Sequence, residues 1–68
     1  MPQEETRQYV RVGGSKSSPS VLLSSDHTTR GWNVHWENNS SYCDSEEKAL
    51  ALAREILGGD IVLVSVLP

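Results

Sequence analysis

The chain of 68 residues has no phenylalanine, one methionine and one cysteine, and its two histidines, His27 and His35, stand apart. A lone Cys43 cannot close an internal disulfide, so no covalent brace is available to the fold. One cysteine and two scattered histidines also fall short of the roughly four ligands that an ordinary zinc site draws from one chain. No cofactor is implied. The only long apolar run, Ile61 to Leu67, is far below the roughly 20 residues of a membrane-spanning helix. No basic-then-apolar leader opens the sequence. The expectation is therefore a cytoplasmic protein with no membrane partner. Asn38 and Asn39 begin two overlapping glycosylation sequons, which in the absence of a secretory leader are read as chance.

A chain this short forms one domain and buries only about 60% of its unfolded surface. Packing, or a partner, must supply the stability that disulfides and metals do not. Net charge is −3, and it is unevenly spread. Residues 1–30 set Arg7, Arg11, Lys16 and Arg30 against Glu4, Glu5 and Asp26. Residues 31–68 set Lys48 and Arg54 against Glu37, Asp44, Glu46, Glu47, Glu55 and Asp60. The acidic C-terminal part argues against nonspecific attraction to nucleic acid or anionic lipid.

Residues 1–6 are polar and expected to fray, leaving 7–68 as the domain. In Arg7 to Val12, Gln8, Val10 and Val12 share one face of a strand, while Arg7, Tyr9 and Arg11 share the other. Gly13 to Pro19 is a Gly/Ser loop, Val21 to Leu23 a short second strand, and Ser24 to Arg30 a polar connection. Gly31 to Glu37 alternates most clearly. Asn38-Asn39 then fits a two-residue hairpin turn, because asparagine tolerates positive φ. That register sets Trp36 against Ser41, His35 against Tyr42 and Val34 against Cys43. One side then gathers Trp32, Val34, Trp36 and Cys43 as core, and the other Asn33, His35, Glu37 and Tyr42 as a wet or partner-facing surface.

Asp44 or Ser45 can cap a following helix, and Asp44 with Glu47 has capping-box spacing. Ala49, Leu52, Ala53 and Ile56 form its apolar stripe, widened by Leu50 and Leu57, and Gly58 ends it. Ile61 to Leu67 is a strand. The result is an α+β fold: a small, mostly antiparallel sheet of four to five strands on one helix, in the order β-β-β-β-α-β. In the last strand Val62, Val64 and Val66 point one way, and Ile61, Leu63 and Leu67 the other. Both sides want cover, and the chain has one helix to provide it.

No constellation for catalysis or metal binding emerges. Cys43 and His35, the only thiol–imidazole pair to test, project to opposite faces in the expected register. Asp26-His27 sits in a loop, and Asp44, Glu46 and Glu47 are explained by the helix dipole. Gly13 to Ser18 lacks the glycine spacing of a phosphate loop, and Pro19 stands where its helix would begin.

Gly31-Trp32 with Val34, Ser45 with Ala49, Ala53-Arg54-Glu55-Ile56 and the strand Ile61-Val62-Leu63 resemble a family of small bacterial proteins catalogued as domain of unknown function 2188. The resemblance covers Val21 to Val64. It implies a Trp-x-Val strand, a capped helix rich in Ala and Glu, and a closing strand. This chain departs from it by an extra N-terminal strand and by lacking the family's polar Gly/Asp-rich ending. The resemblance implies a fold and no activity.

The sequence thus points to a non-enzymatic protein-binding module. In its most concrete form this is a phage- or mobile-element-encoded inhibitor, anti-CRISPR-like, acting on a host nucleoprotein complex. Its expected contacts are the exposed sheet residues Tyr9, His35 and Tyr42 with the acidic Glu37, Glu46 and Glu47. One alternative is RNA or single-stranded DNA binding on Arg7, Tyr9, Arg11 and Tyr42. Another is a structural homodimer joined by sheet faces or edges.

Overall fold

A meander of four strands, one helix and a returning strand make up the described part of the chain. The computed structural model describes residues 5–15, 17–26 and 30–67. Its elements are β1 (Thr6–Arg11), β2 (Ser20–Asp26), β3 (Gly31–Trp36), β4 (Asn39–Cys43), α1 (Glu46–Leu57) and β5 (Ile61–Leu67). The α+β class and the element order are as expected. The sheet runs β4-β3-β2-β1-β5, and every neighbouring pair is antiparallel. Because β4 and β5 are the two edges, α1 must cross the whole sheet to join them. It therefore covers one side.

Tyr9, Val21, Leu23 and Val34 meet Ala49 and Ala53 of α1 in the core, with Trp32, Trp36, Leu52 and Ile56 packed around them. Small alanines at the contact let the helix approach the sheet closely. Each fully buried Leu or Val contributes about 1.5–3 kcal/mol, so this thin cluster carries much of the fold. Ser45 is the N-cap: its Oγ accepts from the Lys48 N–H at 3.2 Å. Asp44, the other candidate cap, instead pairs with Lys48 Nζ at 3.0 Å. Gly58 ends the helix in the left-handed region at φ 80, and the N–H groups of Gly58 and Gly59 both donate to the Arg54 carbonyl.

Four details differ from the sequence expectations. Glu5 and Thr6, assigned to the frayed segment, are tied to the sheet. Thr6 begins β1, the Glu5 N–H donates to Ser25 Oγ at 3.1 Å, and the Ser25 N–H donates to the Glu5 carbonyl at 3.0 Å. The rest of that segment, residues 1–4, lies outside the described residues, as do Lys16, residues 27–29 (including His27 of the Asp26-His27 pair) and Pro68. Strand β2 continues past Leu23 to Asp26, because β3 pairs with it along that length.

The β3–β4 hairpin turns at Glu37-Asn38 rather than Asn38-Asn39. It pairs Trp32 with Cys43, Asn33 with Tyr42, Val34 with Ser41 and Trp36 with Asn39. Each partner moves by two residues, so the sides on which the side chains fall are unchanged. Finally, β5 carries a bulge. Arg11, Val10 and Tyr9 face Ile61, Val62 and Leu63, whereas Gln8, Arg7 and Thr6 face Ser65, Val66 and Leu67. Val64 is left over, and the alternation changes phase across it.

Candidate interaction surface

Cross-strand partners share a side of a sheet, so the register separates a helix side from an open side. On the helix side, Arg7 sits opposite Leu23 and reaches the start of α1. Its guanidinium donates to Glu5 and to Glu46 Oε1, the latter at 2.9 Å, and lies 4.9 Å from the centroid of the Trp32 ring. The hydrogen bond to Glu5 holds the Arg7 pKa above its ordinary value, helped by Tyr9 and Glu46 and opposed by burial. This cluster clamps β1 to the helix N-terminus.

No described helix lies on the open side. Its rows can be followed from edge to edge. Tyr42 faces Asn33, Asn33 faces Ser24, Ser24 faces Thr6, and Thr6 faces Leu67. The next row holds Ser40, His35, Leu22, Gln8 and Ser65. Hydrogen bonds within this side include Thr6 Oγ1 with Ser24 Oγ and Gln8 Nε2 with Ser20 Oγ, each at 3.2 Å. The Tyr42 ring lies over Gly31, occupying the space where a Cβ on that residue would project. Glycine at 31 is therefore what lets the ring lie flat. Val10 is fully buried yet stands apart from the core beneath the helix; its partners are Ser20 and Val62.

The β5 edge is exposed on both sides. Val62, Leu63, Val66 and Leu67 keep 43, 42, 50 and 46% of their surface accessible. Leu63 and Val66 belong to the helix side and Val62 and Leu67 to the open side, so the bulge reverses the sides expected for both Val66 and Leu67. Leu63 and Val66 stay exposed even though they lie on the helix side.

The residues singled out from sequence do not form one surface. Tyr9 is 8% exposed and belongs to the core; it cannot serve as an exposed contact. Pairing with β2 turned the Arg7–Tyr9–Arg11 face toward the helix, although its two arginines suggested the reverse. His35 and Tyr42 do share the open side and are both exposed. Glu37 is exposed in the hairpin turn, and Glu46 and Glu47 are exposed at the start of α1, where Glu46 is engaged by Arg7. The nucleic-acid set is split, with Arg7, Tyr9 and Arg11 on one side and Tyr42 on the other. Cys43 and His35 lie on opposite sides of the sheet, as expected. The four exposed residues of β5 are not among the contacts expected from sequence, although that strand is apolar at both parities.

A cleft of about 430 Å³ opens between the β1–β2 loop and the end of α1, lined by Arg11, Val12, Pro19 and Leu57 among others. Arg11 is the only cation among its described lining residues, and the negative end of the helix dipole beside it opposes an anion. No described group of three or more His, Cys, Asp or Glu residues could hold a metal ion, and no described helix is long and apolar enough to cross a membrane. No family model, curated protein or solved structure matches this chain.

Proposed function

We propose that this chain is a non-enzymatic protein-binding module that receives an extended segment of a partner at the outer edge of β5. The observation that carries it is the state of that strand: seven residues without a charge, at the sheet margin, with Val62, Leu63, Val66 and Leu67 all more than two-fifths exposed. An edge strand offers a row of backbone donors and acceptors, and apolar side chains on both sides of it add burial to the hydrogen bonds.

The bulge makes a second copy a poor occupant of this edge. A two-fold axis through Val64 would set Leu63, on the helix side, against Ser65, on the open side. Symmetric pairing can match sides over only half of the strand. A foreign segment has no such restriction. The RNA or single-stranded DNA alternative is disfavoured, because Arg7 is already engaged and Tyr9 is buried.

The test is affinity capture from the native host with two baits, the natural chain and Leu63→Lys/Val66→Lys, checked for equal folding by circular dichroism. A protein retained by the first and lost by the second is the expected result. Equal capture by both baits, or capture by neither, would remove the β5 edge as the docking element.

A further inference from the structure

We infer that the open side of the sheet is a self-association surface, on which a second copy of this chain packs face to face about a two-fold axis parallel to the strands. The inference is independent of the β5-edge docking proposed above. It begins with where the charges are. The described strands contain only three charged side chains: Arg7, Arg11 and Asp26. The register puts both arginines on the helix side, so that Asp26, at the end of β2, is the one charged residue of the described strands on the open side. A chain of net charge −3 repels its own copies except across a neutral face, and this five-stranded face is nearly neutral.

The rows on that face are also self-complementary. With the axis running along the central strand β2, β4 of each copy lies over β5 of the other. The row Tyr42, Asn33, Ser24, Thr6, Leu67 then meets itself reversed. Tyr42 of one copy covers Leu67 of its partner at each end, and the small Ser24 meets its own equivalent in the middle. In the next row Leu22 meets Leu22. Tyr42 and Leu67, 49 and 46% exposed, lose water at the same contact. Part of the polar middle is already paired within each copy, Thr6 with Ser24 and Gln8 with Ser20.

The area fits a weak dimer. Five strands about 4.8 Å apart and about five residues long at about 3.3 Å per residue give a footprint of about 400 Å² per copy. Two copies bury on the order of 1,000 Å² once side-chain relief is included, the small end of specific interfaces. Association in the micromolar range is expected. The two sheets would stack about 10 Å apart with their strands nearly aligned, and the helices would lie outermost.

Sedimentation equilibrium from about 1 to about 500 μM tests this. The expected mass rises from 7.5 kDa to twice that value. His35→Glu and Tyr42→Lys should each weaken association by about tenfold or more. The double variant Tyr42→Lys/Leu67→Glu should regain it, because the introduced charges face one another only across the two-fold; within one copy they stand at opposite edges of the sheet. Leu63→Lys, on the helix side, should leave the dimer intact. A constant mass of one chain across the range overturns the inference. So does a dimer abolished by Leu63→Lys but untouched by His35→Glu, or a double variant no tighter than Tyr42→Lys alone. Capture at the β5 edge is read separately, so either proposal can fail without the other.

Discussion

Strands β4 and β5 bound the same sheet but protect themselves differently. β4 is five residues, Asn39–Cys43, with two serines and an asparagine in its first three positions. It is short and polar, and both properties discourage pairing with another chain. β5 is seven residues, Ile61–Leu67, apolar except for Ser65. It has no lysine, no internal proline and no inward-pointing charge. Among the described residues its edge protection is the irregularity at Val64, which spoils a symmetric register without making the strand less apolar. A sheet in which one margin is blunted and the other left open is asymmetric by construction, and the proposed docking is placed at the open margin for that reason.

The scale for any effect at the margins is set by the centre. Leu23, on β2, is fully buried and lies opposite Val34 and Arg7. Leu23→Ala removes side-chain volume from a core that has few other large residues, and a cost of about 3 kcal/mol is expected. In a domain of this size that is a large part of the total stability. Urea denaturation measures it. A loss below about 1 kcal/mol would mean that the core beneath the helix is looser than its burial implies, and the contrast between centre and edge would weaken.

The β4 margin depends on its hairpin, where local and tertiary preferences conflict. Glu37 adopts φ 50 at the first central position of the turn. The two favoured two-residue turns both need positive φ there, and a residue with a Cβ adopts it at a cost of about 1–2 kcal/mol. Asparagine relieves part of that strain. Glu37→Asn should therefore stabilise the chain by about 0.5–1 kcal/mol, read as a higher urea midpoint at unchanged slope. A loss of stability would show that the Glu37 side chain holds the turn in some other way.

The same conflict explains what could be read in advance. Alternation in Gly31 to Trp36 told which residues share a side, because that depends only on parity. The pairing partner depends on where the turn falls, and Asn38-Asn39 looked the better turn. Trp32, Val34 and Trp36 could reach the helix with either turn, so the sides were right and the partners were not. The Ser45 cap and the Gly58 stop were legible because both act within a few residues. Tyr9 was misplaced for a different reason: alternation separates two faces of β1 but does not say which one meets the helix. That is decided by pairing with Val21 and Leu23, at long range. The bulge at Val64 has no local signal at all, since nothing in Ile-Val-Leu-Val-Ser-Val-Leu marks the residue that will be left unpaired.

The smallest expected effect on stability is the one that separates the two margins most sharply. Val66 is half exposed, on the last strand, and keeps no place in the buried core. Val66→Lys gives up little burial and some β-propensity, while its long stem can lie along the sheet with the ammonium in water. The change in unfolding free energy should stay within about 0.5 kcal/mol, the range of ordinary surface substitutions. A lysine on an edge strand is also the device by which other sheets refuse a partner. If Val66→Lys is neutral in urea yet abolishes capture of a partner, the exposure of β5 is maintained for docking and contributes little to folding. If it destabilises the chain by about 2 kcal/mol or more, Val66 belongs to the packing after all, and β5 is a strand that the domain needs closed.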